Sequence, residues 1–332
     1  MQDVIIIGGG AAGLSAALQL GRSRRTVTVI DAGHPRNETA AGVHGFLTRD
    51  GVSPLELIRL GRADLEPYDV RLVEGTVVGA VKEDDGFQIT LEDGSTLAAK
   101  RILVTTGVVD ILPEIPGLAE RWGKDLAHCP YCHGWEIQDQ AIGVIGSGTL
   151  AVHQALLFRQ WSPNITLFLH SAPEPTAVER QQLAARGIRL VAGTVARIHS
   201  EDDAVTSVEL ADGTIHPVQA LTAQSRVVAQ APFLTMLGLV PVPSEFSELV
   251  ESDENGATAV PGVWVAGNVT DMRITVPAAA LAGSFAGMTI NMDMMAEELS
   301  EVVAAHEAAD SNTELEIDPE LEPEPASSAA SS

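Results

Sequence analysis

The sequence predicts an α/β protein with two Rossmann-like dinucleotide-binding domains, one inserted in the other, each with a small antiparallel β addition. A short apolar strand leads into a glycine-rich loop at the N-terminus, and the same pattern returns from residue 141. Alternating apolar stretches that end in Asp-Gly turns predict the antiparallel additions. Aromatic residues make up only 4% of the chain, so its cores must consist of Ala, Val, Leu and Ile, as in packed β-α-β layers.

The first unit begins with the strand 4–7 and reaches Asp31 after a glycine loop, a helix and a second strand. In the loop, Gly8 permits a tight turn, Gly10 lets the backbone approach a pyrophosphate, and Gly13 lets the helix pack closely on the strand. The helix N-terminus offers free N–H groups to the phosphates, and Asp31 is placed to accept hydrogen bonds from ribose hydroxyls. The predicted dinucleotide site comprises Gly8, Gly10, Ala12, Gly13 and Asp31.

The second unit repeats the pattern with Gly146 and Gly148, but it has Ala151 where the third glycine would stand. It predicts an NAD(P)-type domain. We predict that residues 1–112 and 237–298 form a split domain that binds FAD, and that residues 113–236 form the inserted domain. Residues 299–332 are acidic, then rich in Pro, Ser and Ala, and predict a disordered tail.

Charge and hydropathy exclude several classes of function. The formal net charge of −25, without a basic stripe, disfavours binding to nucleic acid or to an anionic membrane. The N-terminus lacks the basic region and cleavage site of a secretory signal. The apolar-leaning stretch 276–295 contains Pro277, Asn291 and Asp293, which favours a buried helix over a membrane span. We therefore expect a cytoplasmic protein.

The only two cysteines, Cys129 and Cys132, lie three residues apart in Cys-Pro-Tyr-Cys. At this spacing a disulfide closes with little loss of loop entropy. If Cys129 precedes a helix that contains Cys132, the helix dipole lowers the pKa of the first thiol. Cys129 would then exchange with substrate, while Cys132 would resolve the mixed disulfide and face the flavin. The neighbouring His133 or His128 can take or return the proton.

Three other interpretations of the pair stay open: a zinc site, a structural disulfide and two inert buried thiols. A zinc site would require adjacent cysteines and histidines to converge on one tetrahedron, which disfavours a metal. Two flanking nucleotide folds give the pair an electron partner. We therefore favour a redox pair, with Cys129, Cys132 and His133 as catalytic residues and FAD in the first domain.

These motifs resemble those of the low-molecular-weight thioredoxin reductases over residues 1–298. The shared features are the first glycine loop, Thr-Thr-Gly at 105–107, the cysteine pair ahead of the second loop, and Ala-Gly-Asn-Val at 266–269. The resemblance implies a homodimer that binds FAD and either NADPH or NADH, with a thioredoxin-like protein or a small-molecule dithiol or disulfide as partner. It also implies cofactor contacts from Arg36, Asn37, Thr106, Gly107, Gly267, Asn268, Ala278, Gly146 and Gly148.

The chain departs from the reductase pattern at three places. His133 stands where the reductases usually carry aspartate, the stretch 170–175 lacks the basic cluster that grips the 2′-phosphate of NADPH, and Asn268 replaces an aspartate near the flavin. Cys-Pro-Tyr-Cys-His-Gly, together with His44-Gly45-Phe46-Leu47, is more similar to a branch that includes the FAD-dependent dithiol oxidases of gliotoxin and holomycin type.

Two enzymatic hypotheses follow. As a thioredoxin reductase-like, FAD-dependent thiol–disulfide oxidoreductase, the protein would pass electrons from NAD(P)H through FAD to the Cys129–Cys132 disulfide. As an oxygen-dependent dithiol oxidase, it would run the opposite way and form a disulfide in a small molecule without NADPH. A third hypothesis is a non-enzymatic flavoprotein sensor that docks a partner through its acidic tail.

Overall fold

The computed structural model describes residues 1–310. Its α-helices are α1 (Ala11–Arg22), α2 (Pro54–Ala63), α3 (Pro130–His133), α4 (Ala151–Phe158), α5 (Ala177–Ala185) and α6 (Val276–Asp310), and short 3-10 helices cover Glu66–Tyr68, Ala119–Arg121 and Pro232–Leu237. The strands are β1 (Gln2–Ile7), β2 (Val27–Asp31), β3 (Arg71–Glu74), β4 (Val77–Glu83), β5 (Gly86–Leu91), β6 (Thr96–Val104), β7 (Val108–Ile111), β8 (Ile142–Ile145), β9 (Ile165–Phe168), β10 (Arg189–Val191), β11 (Val195–Glu201), β12 (Ala204–Leu210), β13 (Ile215–Pro217), β14 (Ala220–Ala223), β15 (Arg226–Ala229), β16 (Val242–Pro243), β17 (Ser247–Leu249) and β18 (Val263–Val265).

The first sheet has the strand order β3-β2-β1-β6-β5-β4, and β18 pairs with β6. Strands β1, β2, β3, β6 and β18 run parallel, whereas β4, β5 and β6 form the antiparallel addition. The apolar run 4–7 is buried on both faces, as expected for a central parallel strand. The carboxyl ends of β1, β2, β6 and β18 therefore meet at one edge, where α/β sheets bind their ligands.

Helix α6 packs directly on α1 through two glycines. A Cβ added at Gly283 would lie 1.9 Å from the carbonyl oxygen of Ala12, and one at Gly287 would lie 2.9 Å from that of Ala16. The helix predicted from the stretch 276–295 is thus confirmed, and close backbone approach explains its small residues. The prediction that it is buried is only partly right, because Leu281 and Phe285 on its other face are more than half exposed. Across residues 1–310, no helix is both long and apolar enough to cross a membrane.

The second nucleotide unit forms a parallel sheet of order β10-β9-β8-β14, flanked by α4 and α5. An antiparallel sheet of β11, β12 and β13 accompanies it. The predicted fold class is therefore confirmed. A fourth sheet of order β16-β17-β15-β7 pairs β7, which follows the first sheet, with β15, which follows the second. The exact domain boundaries stay a prediction.

The segment from Asn291 forms the end of α6, which continues to Asp310. Residues 299–310 are therefore helical, contrary to the predicted disorder from residue 299. The acidic character of this stretch comes from glutamates set among alanines, and both residue types have high helix propensity. The remainder of the predicted tail, residues 311–332, lies outside the described residues.

Candidate active site

A cleft opens at the carboxyl edge of the first sheet. Its walls come from the first glycine loop, the stretch 34–44, the segment 105–108, the cysteine pair and the segment that begins α6. The sequence-predicted residues that line it are Gly8, Gly10, Ala12, Asp31, Arg36, Asn37, Thr106, Gly107, Cys129, Cys132, His133, Gly267 and Asn268.

The glycines of the first loop have different surroundings. Gly8 has a φ of +110°, and a Cβ there would lie 2.5 Å from the carbonyl oxygen of Thr105. A Cβ on Gly13 would lie 1.9 Å from the carbonyl oxygen of Gly8, so Gly13 serves helix packing and does not line the cleft. A Cβ on Gly10 would meet no protein atom within 4 Å. The open space over Gly10 lies at the N-terminus of α1, where a pyrophosphate would find free N–H groups.

Asp31 is held at the wall of the cleft by two partners. Its carboxylate accepts a hydrogen bond from the backbone N–H of Gly9 at 3.0 Å and another from the Arg62 guanidinium at 2.6 Å. The side chain remains 19% exposed. Asp31 therefore fixes the glycine loop and still borders the cleft at the predicted ribose position.

The segments that border the glycine loop offer further groups for a flavin. The Thr106 hydroxyl is buried and has no hydrogen-bond partner among the described residues. The Asn268 amide donates to the carbonyl oxygens of Asp271 at 3.1 Å and of Ile274 at 2.9 Å, so its orientation is fixed. An open cradle at Gly10 and an orphaned hydroxyl at Thr106 fit the phosphates and the ring end of FAD. FAD bound there would supply a two-electron acceptor beside the cysteines.

The cysteine pair has the predicted local structure. Cys129 is the N-cap of α3, Cys132 lies within that helix, and both thiols are free. A hydrogen bond from the Cys132 thiol, outweighing burial and aided by the backbone N–H groups of Cys132 and Tyr131, lowers the pKa of Cys129 from 9.0 to about 6. The same hydrogen bond and burial raise the pKa of Cys132. Cys129 is therefore the thiolate of the pair at neutral pH, as its predicted attacking role requires.

His133 is the histidine best suited to move a proton at the pair. Burial lowers its pKa, Glu136 opposes that shift and His44 adds to it. His44 also lines the cleft, and its Nε2 lies 3.3 Å from a Glu136 carboxylate oxygen. His133 is thus uncharged at neutral pH and can accept a proton beside Cys132.

His128 has a different environment. Burial and the neighbouring charge of Arg36 lower the pKa of His128 to about 4. The Arg36 guanidinium donates to His128 Nε2 at 3.4 Å and forms two hydrogen bonds to Asp110, at 2.5 and 2.7 Å. Ser225 donates to the same carboxylate at 2.6 Å. His128 therefore stays neutral in a buried network, so of the two histidines suggested by the sequence His133 is the one fitted to acid–base work.

The lowered pKa of Cys129 makes its reactivity depend on pH. Alkylation of the reduced enzyme by iodoacetamide should rise about tenfold per unit below pH 6 and level off above it, because the thiolate is the nucleophile. In Cys132→Ala the hydrogen bond that most stabilises the Cys129 thiolate is lost, so the midpoint of the pH profile of alkylation should move towards 9.0. A wild-type midpoint near 9.0, measured by mass spectrometry of the labelled peptide, would contradict the assignment.

Besides Gly13, three predicted positions do not line this cleft. Ala278 is exposed on the outer side of the first turn of α6, and Ala279 takes its place at the cleft because side chains one position apart diverge on a helix. Gly148 borders a separate cleft beside the second glycine loop. Gly146 lies beneath that loop, where a Cβ would meet the carbonyl oxygens of Leu169 and Phe168.

Sequence reasoning missed several groups at the site. Asp110 and Ser225 join Arg36 from 74 and about 190 residues away along the chain, so no local pattern could reveal them. Glu136 follows His133 by one helical turn, a spacing that could have identified it. Gln230 and Trp122 also line the cleft.

Comparison with known proteins agrees with the geometry of this site. A family model described as pyridine nucleotide-disulphide oxidoreductase matches residues 2–296. The chain belongs to this family. It is 31% identical over 318 residues to thioredoxin reductase tcpT of Claviceps purpurea, covering 89% of this chain and 95% of the relative.

Solved structures give the same assignment. HlmI has a TM-score of 0.86 at 42% identity, covering 93% of this chain and 97% of that one. A putative thioredoxin reductase TrxB from Bacillus anthracis has a TM-score of 0.84 at 29% identity, covering 90% and 100%. The predicted resemblance is confirmed, and the chain is a thioredoxin reductase-like, FAD-dependent disulfide oxidoreductase.

Proposed function

We propose that this oxidoreductase oxidises a small apolar dithiol to its disulfide and delivers the electrons to FAD. The charge of the cleft is the observation that supports electron flow from the dithiol to FAD. Among residues 1–310, Asp31 is the only carboxylate that lines it, and Asp31 lies at the ribose end beside Arg62. Around the cysteines the lining includes Asn268 in place of an acid, and Arg36, whose charge is paired with Asp110 outside the lining. A site without negative charge favours the added electrons of reduced flavin.

Exposed apolar side chains close in sequence to residues of the cleft support an apolar substrate. Tyr131 and Trp135, on either side of Cys132 in sequence, are each 71% exposed. Leu47 is 88% exposed, and it belongs to the loop whose His44 contacts Glu136. Large exposed apolar side chains beside a reactive group mark a binding surface. They suit a small aromatic or aliphatic dithiol better than a strongly charged partner.

The proposed reaction consists of two thiol–disulfide exchanges at the Cys129–Cys132 pair. A substrate thiolate attacks Cys129 in the Cys129–Cys132 disulfide and Cys132 leaves; the second substrate thiolate then displaces Cys129 and closes the product disulfide. The lowered pKa of Cys129 makes it a good leaving group. His133 accepts a proton released from the substrate thiols. FAD held by the first glycine loop and Thr106 would supply the acceptor for the two electrons of the enzyme dithiol, so that the Cys129–Cys132 disulfide is restored, with molecular oxygen as the final oxidant and hydrogen peroxide as its product.

A second candidate is the reduction of a protein disulfide with electrons from NAD(P)H. It is favoured by the name thioredoxin reductase that relatives such as tcpT carry.

For either function we propose a cytoplasmic homodimer. Leu281, Phe285 and Met288 form an exposed apolar stripe on α6 at spacings of four and three residues, which suits a second copy of the chain.

Oxygen consumption by the holoenzyme tests this proposal. 1,2-Benzenedimethanethiol, whose two thiols close a six-membered cyclic disulfide, should be oxidised with a higher kcat/KM than reduced thioredoxin. Trp135→Ser should lower kcat/KM for the aromatic dithiol about tenfold, equivalent to about 1.4 kcal/mol, mainly through KM. Ile215→Ser, which removes a 59% exposed side chain from β13, is the matched control and should have no effect. Preference for thioredoxin, with no effect of Trp135→Ser, would support the second candidate instead.

A further inference from the structure

The second glycine loop has the same spacing as the first, but its surroundings differ. The position of Gly148 corresponds to that of Gly10. Whereas Gly10 faces open space, a Cβ on Gly148 would lie 3.0 Å from the side-chain oxygen of Gln224. That oxygen is buried and has no hydrogen-bond partner among the described residues. The Ser147 hydroxyl also donates to the backbone carbonyl of Gln224 at 3.0 Å. The Gln224 side chain therefore occupies the space over Gly148, the counterpart of the open space over Gly10.

A carboxylate lies at the same loop. The Thr149 hydroxyl, two residues before α4 begins, donates a 2.7 Å hydrogen bond to Glu245. Glu245 stands 96 residues further along the chain, between β16 and β17. Its negative charge lies close to the N-terminus of α4, where the helix would otherwise favour the charge of a phosphate. A pyrophosphate that approached the loop would be repelled by it.

The rest of this second cleft is also poorly suited to an anionic nucleotide. Arg226 is the only Lys or Arg that lines it within residues 1–310, and it is paired with Glu248 at 2.9 Å. His170 stands just after β9, where a ribose partner is expected, and its Nδ1 accepts the backbone N–H of Val195 at 3.1 Å. Burial lowers the pKa of His170, so it offers no positive charge to a 2′-phosphate.

We infer that Glu245 and Gln224 close the second glycine loop to nicotinamide dinucleotides while the cysteine pair lies at the FAD cleft. The residues present do not fit NADPH or NADH in this arrangement. This inference deepens the proposed function and rests on it, because a closed nicotinamide site leaves the dithiol as the source of electrons for FAD.

Isothermal titration of the holoenzyme with NADPH and with NADH tests the inference. Glu245→Gln should bind both nucleotides at least about tenfold more tightly than the wild type, and Glu245→Gln with Gln224→Ala should bind them more tightly still. Glu251→Gln, which removes the same charge from an exposed site on the adjoining segment, should leave the affinity unchanged.

The inference is overturned if the wild type binds either nucleotide as tightly as the double variant does. Its failure is distinct from failure of the proposed function, because nucleotide binding is measured without any dithiol. In each variant the rate of dithiol oxidation should equal that of the wild type, since none of the three residues lines the FAD cleft.

Discussion

Cys132→Ser should lower kcat for dithiol oxidation by at least about 10³-fold, as expected when a residue that forms the covalent intermediate is removed. Without the second sulfur no Cys129–Cys132 disulfide can form, so the enzyme offers no bond for the substrate thiolate to attack and no dithiol to reduce FAD. Serine has nearly the same shape, and Cys132 lies in the short helix α3. The FAD content and the free energy of unfolding should therefore match those of the wild type.

Cys129→Ser is the matched variant that separates the two roles. Both variants should lose turnover, but the remaining thiol should differ in reactivity. Cys129 in Cys132→Ser should react quickly with an aromatic disulfide probe near neutral pH, whereas Cys132 in Cys129→Ser should react slowly. Residual turnover above about a tenth of the wild-type value in either variant would overturn the disulfide mechanism.

Gly10→Val should abolish FAD binding while leaving the apoprotein folded. The backbone of Gly10 is extended, with φ −78° and ψ −170°, a conformation that valine accepts readily. The new side chain enters the open space over α1 and fills the place of the pyrophosphate. We expect FAD affinity to fall at least about 100-fold, equivalent to about 3 kcal/mol.

Gly13→Ala provides the contrasting control. Its Cβ would lie 1.9 Å from the carbonyl oxygen of Gly8, so this variant should lose about 1–3 kcal/mol of stability even as apoprotein. Absorbance of the purified protein reports bound flavin, and denaturant unfolding of the FAD-free forms reports stability. A yellow Gly10→Val protein with wild-type flavin content would show that the first loop does not hold the cofactor.

The sequence predicted those features that depend on local pattern. Gly8, Gly10 and Gly13 each have the surroundings that their spacing implied, and the position of Cys129 ahead of a helix follows from Pro130 at its first turn. The sequence does not show which residues of α6 face the cleft. It predicts a cofactor contact from Ala278, whereas the structure places Ala279 in the lining.

Features that depend on distant contacts were not accessible from the sequence. The second glycine loop keeps the spacing of a nucleotide site, yet Gln224 and Glu245, which cover it, come from other strands and loops. His128 and His133 flank the pair alike in sequence, and the deeper burial of His128 and its contact with Arg36 distinguish them. Local motifs thus predicted the fold and the cysteine pair, whereas the electrostatics on which the proposed direction of electron flow rests required the structure.

The most direct test of the central claim is rapid mixing of the oxidised holoenzyme with 1,2-benzenedimethanethiol in the absence of oxygen, followed by measurement of flavin absorbance. The wild type should bleach at a rate at least equal to kcat, Cys132→Ser should stay yellow, and NADPH or NADH should not bleach the wild type. Rapid bleaching of the wild type by NADPH, with none by the dithiol, would contradict the proposed direction of electron flow.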